Sequence, residues 1–189
     1  MILEILLIVL AILIFTSLII VGWSISTYNW FVSLRQDIQT QFSNIKAEYQ
    51  RRVDLFYNLV NTVKSFKKHE KSTLKEVIQA RTAGFSGVKA TDIKKMKGMD
   101  KMFSKLMVLF EKYPDIKAGE QHNKLMDELR VTEDRINIAR TDYNNVVRSY
   151  NVGVKSFPSN LIAGRFKFAL ETFFKNEEGT DNAPKIDLN

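Results

Sequence analysis

The chain opens with a long apolar run that has no polar face. From Ile5 to Val21 every residue is uncharged, and only Thr16 and Ser17 are polar. With its flanks the run predicts a helix of roughly 30 Å, which matches the hydrocarbon core of a bilayer. Lipid offers no hydrogen-bond partner to the backbone, so such a segment must be helical. The predicted membrane anchor is represented by Ile5, Leu10, Phe15, Val21 and Trp23.

Two other interpretations of this run stay open in the sequence. A signal peptide needs a basic segment ahead of its apolar core, yet only the terminal amine precedes this run, and Ser24-Ile25-Ser26 is a weak cleavage pattern. A buried core helix normally keeps some polar positions, which the run lacks. Aromatic Trp23, Tyr28 and Trp30 follow the run and favour the headgroup zone. These features favour a membrane anchor.

Beyond the anchor, apolar residues recur in steps of four and three, the spacing of one face of a helix. No glycine or proline occurs between Trp23 and Ala83, which predicts a long helix leaving the membrane. A turn or kink is predicted near His69 to Ser72, and a loop at Gly84 to Gly87. The seam of this helix consists of Ile38, Phe42, Ile45, Tyr49, Arg52, Phe56, Leu59, Val63 and Phe66, with Arg52 as its irregular step.

Three more helices are predicted from the same spacing. The first begins at Thr91 or Asp92 and ends near Pro114. The second has the cleanest period and ends before Pro158. A last helix, capped by Ser159 or Asn160, is expected to run through Phe166, Leu170 and Phe173. The seam of the second of these helices contains Leu125, Leu129, Thr132, Ile136, Ala139, Tyr143, Val146 and Tyr150.

The predicted fold is all-α: an N-terminal transmembrane helix followed by an elongated, coiled-coil-like antiparallel bundle of four helices. We expect residues 1–27 to form the anchor and its flank, residues 28–175 the bundle, and residues 176–189 a disordered acidic tail. Heptad-like spacing also permits association between molecules. Both packing within one chain and oligomerisation therefore remain open.

Charge is distributed unevenly along the chain. The net charge is +7, but residues 23–175 alone carry 27 basic and 16 acidic side chains, a difference of +11. A solvated helical surface and contact with anionic lipid both explain this balance, whereas nucleic acid is the least favoured partner. Glu4 precedes the anchor, and the basic side chains follow it, beginning with Arg35. This asymmetry predicts an outside N-terminus and a cytoplasmic body.

The sequence offers little for catalysis. It has no cysteine and only two histidines, His69 and His122, without carboxylates at metal-ligand spacing. The glycines Gly84 and Gly87 lack the lysine and strand of a phosphate-binding loop. We therefore predict a non-enzyme without cofactor, metal or small-molecule substrate.

Two sets of polar residues remain as candidate sites. A stripe of amides and charges beside the two best seams predicts hydrogen bonds across helices that fix their register, although a solvated flank explains it equally well. A basic, Met-rich helix with Met96, Met99, Met102 and Phe103 predicts contact with lipid or a partner, or simply a core helix with a lysine-rich outer face. The stripe consists of Arg51, Asp54, Asn58, Asn61, Arg140, Asn144 and Asn151, and Asn137 extends it. The candidate contacts are Lys94, Lys95, Lys97, Lys101 and Lys105.

Short motifs are distributed along nearly the whole chain: Gln50-Arg51-Arg52-Val53-Asp54-Leu55, Asn58-Leu59-Val60, Val63-Lys64, His69-Glu70, Ala80-Arg81, Tyr113-Pro114, Glu133 with Ile136, Ala139-Arg140, Tyr143-Asn144, Tyr150-Asn151, Phe157-Pro158-Ser159-Asn160 and Ala183-Pro184-Lys185-Ile186. Together these motifs resemble the LemA family of bacterial and archaeal membrane proteins. One departure is Phe56-Tyr57, where the family commonly has an aliphatic residue followed by proline, and it predicts a straighter first helix.

The resemblance implies an N-terminal membrane helix, a short outward N-terminus and an antiparallel helical bundle, and it supplies no catalytic residues. Similar proteins in magnetotactic bacteria are tied to building magnetosome membranes. We therefore expect a membrane-anchored scaffold or interaction protein, with the bilayer and either a second copy or another protein as partners. The alternative is an oligomeric membrane-shaping protein that binds anionic lipid through the basic Met-rich helix.

Overall fold

The computed structural model of the protein describes residues 1–62, 75, 77–79, 93–111 and 120–174. Four continuous helices run through these residues, and residues 75 and 77–79 are helical as well. Across these ranges no β-strand occurs, so the predicted all-α class is confirmed. The turn expected near His69 and the loop at Gly84 lie outside the described residues. The four helices are α1 (Ile2–Thr62), α2 (Ile93–Glu111), α3 (Glu120–Lys155) and α4 (Ser159–Arg165).

Helix α1 combines the apolar run and the start of the body in one element of 61 residues. At about 1.5 Å per residue it is roughly 90 Å long. None of its most apolar stretch is buried against the rest of the protein. A core helix would be covered by other side chains, so that alternative is wrong. The helix passes Phe56-Tyr57 without interruption, as expected where the proline is missing.

Helix α3 returns antiparallel along α1 towards the anchor. The rings of Phe42 and Tyr143 lie 6.0 Å apart, and those of Phe31 and Tyr150 5.9 Å apart, so residue numbers rise on one helix as they fall on the other. Within the described residues the predicted seams form this core, except that Leu125 is only partly buried and Val147 rather than Val146 is fully buried. The seam positions Val63 and Phe66 lie outside the described residues. The buried side chains shared by the two helices are Phe31, Ile38, Phe42, Ile45, Tyr49, Arg52, Phe56, Leu59, Leu129, Thr132, Ile136, Ala139, Tyr143, Val147 and Tyr150.

Gly153 allows the closest approach between the two helices near the anchor. A Cβ atom at this position would lie 2.4 Å from the indole of Trp30 and 3.1 Å from the ring of Phe31. Only a residue without a side chain fits against the indole in this arrangement. The membrane-proximal end of the body is therefore packed tightly against α1.

Helix α2 packs on the end of the body that is remote from the anchor. Phe103 stacks on Phe56 of α1 with ring centroids 5.1 Å apart, and Met96 and Leu106 are fully buried. The Met-rich face of α2 is therefore part of the core, and its lysines Lys101 and Lys105 are exposed. Of the two interpretations of the Met-rich pattern, the structure therefore shows the core helix with a lysine-rich outer face.

The predicted last helix is wrong beyond Arg165. Helix α4 ends there, Lys167 adopts a left-handed conformation with φ of 58°, and residues 168–174 are non-helical. Leu170 and Phe173 therefore belong to an extended segment, which we define as residues 168–174.

The start of α4 also differs from the prediction. Pro158 takes the N-cap position, and the Ser159 hydroxyl donates to the carbonyl oxygens of Gly153 and Ser156.

Candidate functional site

A polar cluster lies at the edge of the core where α1, α2 and α3 meet. It consists of Tyr49, Arg52, Asp100, Glu133 and Arg140. The Tyr49 hydroxyl donates a hydrogen bond to Asp100 Oδ1 at 2.8 Å and accepts one from Arg140 Nη2. Arg140 Nη2 also lies 2.5 Å from Asp100 Oδ2. One guanidinium thus ties all three helices together.

Arg52 is the second guanidinium of the polar cluster, and it occupies a core position on α1. Its Nη2 atom lies 3.2 Å from Glu133 Oε2, and its carbon Cζ lies 4.6 Å from the ring centroid of Phe103. An aromatic face attracts a cation that has lost most of its water, so the ring supplements the carboxylate. The irregular step of the seam at Arg52 is therefore a buried cation paired across helices.

The electrostatics of the polar cluster follow from burial. Burial, and then the negative charge of Asp100, raise the pKa of Tyr49 above its ordinary value. Burial lowers the pKa of Arg52, although Glu133 opposes this shift. For Arg140, burial acts in the lowering direction, but Tyr49 and Asp100 raise its pKa overall. The cluster therefore keeps a neutral phenol between paired charges.

A cavity of about 190 Å³ opens beside this cluster. Each guanidinium that lines it already faces a carboxylate, so the charges balance within the cavity wall. The cavity wall therefore offers no excess charge to a charged ligand. Its lining consists of Arg52, Asp100, Ser104, Glu133, Ile136, Asn137 and Arg140.

A second polar arrangement attaches the extended segment to α3. Asn144 donates through Nδ2 to the carbonyl oxygen of Phe174 at 2.9 Å and accepts from its amide at 2.7 Å. Asn151 makes the same two bonds to Glu171, both at 2.9 Å. We call Asn144 and Asn151 the amide clamp. Each side chain pairs with both main-chain groups of one residue, as a neighbouring β-strand does.

The spacing of the amide clamp has a simple geometric basis. Seven helical residues separate the two asparagines and rise about 10.5 Å. Three residues of extended chain separate Glu171 from Phe174 and span about 10 Å. The two repeats coincide, so the amides meet the extended segment at matched positions.

Aromatic packing holds the same segment between α1 and α3. Phe168 stacks on Phe31 with ring centroids 4.9 Å apart, and Phe174 meets Tyr143 edge-on at 6.4 Å. The Tyr143 hydroxyl donates to the carbonyl oxygen of Thr172 at 3.0 Å. The extended segment thus replaces the C-terminal part of the expected last helix.

The motifs of this chain lie within a match to a known family model. The description of that model is "LemA family", and it matches residues 41–188, which include the polar cluster and the amide clamp. The chain belongs to the LemA family. The predicted family membership is confirmed.

Curated relatives of this LemA family protein include magnetosome proteins. It is 28% identical over 181 residues to magnetosome protein MamQ 2 of Paramagnetospirillum magneticum, and 26% identical over 181 residues to MamQ of Magnetospirillum gryphiswaldense. Both alignments cover 82% of this chain and 66% of the relative. It is also 26% identical over 146 residues to protein LemA of Metamycoplasma hominis, covering 76% of this chain and 67% of the relative. The family and the apolar α1 fit a protein of the membrane.

The predicted stripe of this LemA family protein divides into bonded and solvent-facing parts. Arg140 bonds across helices, whereas the two clamp asparagines bind the extended segment instead of another helix. Arg51 is exposed and lies 3.9 Å from Glu128 of α3. Asp54 lies 3.4 Å from the amide nitrogen of Gln50. Asn58 and Asn61 are exposed.

No signal in the sequence marks Asp100, the pairing of Glu133 with Arg52, or the main-chain partners of the amides. The repeat at Asn137, Asn144 and Asn151 was a usable signal, but a repeat on one helix does not reveal what lies opposite. Of the predicted lysine contacts, Lys101 and Lys105 are exposed on α2, while the side chains of Lys94, Lys95 and Lys97 lie outside the described residues.

Alkaline conditions provide a test of the tyrosine that holds the extended segment. Burial, and then the nearby charge of Glu171, raise the pKa of Tyr143 from 10.0 to about 12. The folded state therefore keeps a proton that the unfolded state loses. The associated stability is complete below pH 10 and is lost as the pH rises towards about 12.

We expect Tyr143→Phe to remove part of this pH dependence. The difference in unfolding free energy between the wild type and the variant should change by about 2 kcal/mol over the two pH units. Denaturant unfolding of the full chain in detergent, followed by circular dichroism at several pH values, measures it. A difference that stays constant with pH would contradict the burial of this phenol.

Proposed function

We propose that this protein is a single-pass, membrane-anchored helical scaffold whose body stands on the cytoplasmic side, with its N-terminus outside and without catalytic activity of its own. The observation that carries the proposal is the continuity of α1. The same helix provides the apolar span and the packing face of the body. A signal peptide would instead be cut near Ser24 to Ser26, in the middle of this uninterrupted helix.

The continuous helix has a mechanical consequence that suits a scaffold. The first fully buried side chain of the body, Phe31, follows Trp23 by about 12 Å of helix. No linker separates the two, so the body cannot swivel freely on its anchor. A partner bound to the body would be held at a defined height above the bilayer, and tethering raises the effective concentration of weak contacts.

The remote end of the body supports a partner other than lipid. Asp100 of α2 bonds to Tyr49, which lies about 39 Å along α1 from Trp23. The exposed lysines Lys101 and Lys105 follow Asp100 on the same helix. This distance weighs against the alternative in which the basic Met-rich helix binds anionic lipid, and it favours a protein partner for those lysines.

The outer face of α3 supports self-association. Val131, Ile138 and Val152 are exposed and separated by multiples of seven residues, the spacing of a coiled-coil seam. A second copy of the chain that presents the same face would cover them. This is the feature on which the proposed homo-oligomer rests.

Single cysteines test orientation and association together, because the chain contains no cysteine. In Glu4→Cys the thiol should react with a membrane-impermeant maleimide on intact cells, and in Ile138→Cys only after permeabilisation. Alkaline carbonate should leave both variants in the membrane fraction. The reverse labelling pattern would overturn the orientation, and release by carbonate would overturn the anchor.

A disulfide between two copies of Ile138→Cys would support the homo-oligomer, and its absence under oxidising conditions would oppose this interface.

A further inference from the structure

The corner between α3 and α4 exposes apolar side chains that the packed body does not use. We define the membrane-proximal corner as residues 155–167. Phe157 is 79% exposed and Leu161 is 60% exposed. Large apolar side chains grouped in this way on a surface usually mark a contact with lipid or another molecule. The same corner carries three exposed cations, Lys155, Arg165 and Lys167.

Contacts with α1 fix the height of this corner relative to the anchor. Pro158 and Ser159 line one pocket together with Trp23 and Thr27. The ring of Phe166 lies 4.7 Å from that of Tyr28. Trp23 stands directly after the apolar run, where an indole favours the boundary between hydrocarbon and headgroups. The corner is therefore level with the bilayer surface.

We propose that the membrane-proximal corner is a second contact with the bilayer, in addition to the anchor. Phe157 and Leu161 enter the boundary between headgroups and acyl chains, where burial of apolar surface is favourable. The three cations bind the phosphates of anionic lipids, towards which long basic side chains can extend. The proposal rests on the proposed function, because the anchor sets the height of the corner.

The position of the corner selects lipid over a protein partner as its occupant. Helix α4 lies beside α1 just where the apolar run ends, so its outer apolar side chains adjoin the same boundary as Trp23. A soluble partner would have to displace headgroups to reach Phe157. Negatively charged phosphates, in contrast, surround this level and complement Lys155, Arg165 and Lys167.

The same residue types also occur on the part of the described body that lies away from the anchor, too far away for this contact. Ile138 is 63% exposed on α3, but it lies about 25 Å of helix from Lys155, where α3 ends next to the corner. Lys101 and Lys105 belong to α2, whose contact with Tyr49 places it at the remote end. These residues therefore serve as controls of matched chemistry and different height.

Single-cysteine variants of the full chain, labelled with an environment-sensitive fluorophore, measure the contact. Phe157→Cys and Leu161→Cys report on the corner, Ile12→Cys on the anchor, and Ile138→Cys on the remote body. The proteins are reconstituted into phosphatidylcholine vesicles with or without bromine on the acyl chains. We expect bromine to quench the label most at position 12, clearly at positions 157 and 161, and little at position 138.

The outcomes separate this inference from the proposed function. If labels at positions 157 and 161 are quenched no more than the label at 138, while position 12 is strongly quenched, the corner does not contact lipid and the anchor stands. If position 12 is not quenched either, the anchor itself is wrong. Two corner positions are used so that a local packing defect in Phe157→Cys does not decide the result.

The charge contribution is tested on the labelled Leu161→Cys protein. Brominated phosphatidylglycerol, at the same fraction as brominated phosphatidylcholine, should quench this label more strongly. The excess should disappear in K155Q/R165Q/K167Q and persist in K101Q/K105Q/R135Q, which removes the same number of exposed cations farther from the anchor. Persistence in the first triple variant, or loss in the second, would overturn the assignment of these cations.

Discussion

Replacing Arg140 by methionine should lower the free energy of unfolding by about 3 kcal/mol, the lower part of the range for breaking a buried ion pair. The side chains of Arg140 and Asp100 are only 18% and 19% exposed, and Tyr49 between them is fully buried. Methionine fills similar space but leaves the Asp100 carboxylate without its cation. Chemical unfolding of the full chain in detergent, followed by the circular dichroism of the body, measures the loss.

Two comparisons identify the lost pairing as the cause. Arg140→Met combined with Asp100→Asn should lose less than the sum of the single changes, because both partners of the pair are then absent. Arg130→Met removes an exposed arginine from the same helix, 3.5 Å from Asp127, and should change stability by at most about 1 kcal/mol. Equal effects of Arg140→Met and Arg130→Met would mean that the polar cluster does not join the helices.

Replacing both residues of the amide clamp by alanine should release the extended segment from α3. Asn144 and Asn151 together make four hydrogen bonds to its main chain. Each of these hydrogen bonds contributes about 1 kcal/mol net, and water replaces part of the bonding that is lost. The double variant should therefore lose about 2 to 4 kcal/mol of local stability. Alanine is a better helix former than asparagine, so α3 itself should not suffer.

Hydrogen exchange in the full chain gives the most direct measurement of this release. The amides of Glu171 and Phe174 donate to the two asparagines, and they should lose protection in Asn144→Ala/Asn151→Ala while core amides of α1 and α3 keep theirs. Asn145→Ala, at an exposed position on the same helix, serves as the matched control. Unchanged exchange at Glu171 and Phe174 would show that aromatic packing alone holds the segment.

Local periodicity predicted the helices well because burial of one face dictates the spacing of apolar residues. The seam from Ile38 to Leu59 and its partner on α3 required no knowledge of the partner helix. The apolar run at Ile5 to Val21 was equally easy to recognise, since a segment with so few polar positions rarely forms a water-exposed helix. These features depend on the chain's own spacing.

The last element could not be predicted in the same way. Phe166, Leu170 and Phe173 repeat in steps of four and three and imitate a helix face. The backbone after Arg165 instead finds its hydrogen-bond partners on the amide clamp, which belongs to another helix. Local spacing does not record that competition, so the pattern led to the wrong structure.

The candidate site was predictable only in its parts. Arg140 and the asparagines stood out by their spacing, but Asp100 lies 40 residues before Arg140 and has nothing in its surroundings to mark it. A charged pair of this kind is defined by the tertiary fold. The membrane-proximal corner was not predictable for the same reason. In the sequence Phe157 is an ordinary residue before Pro158, and only the tertiary fold places it level with Trp23.

The unbroken α1 also forms a rigid arm between the proposed membrane span and the remote end of the body. Its portion from Trp23 to Thr62 is about 58 Å long. Transmembrane helices tilt more or less as bilayer thickness changes, and a change of about 10° would sweep the remote end sideways by roughly 10 Å. A hinge at the membrane surface would absorb that motion. If α1 spans the bilayer as proposed above, this rigid arm would instead carry a change in bilayer thickness to the remote end of the body.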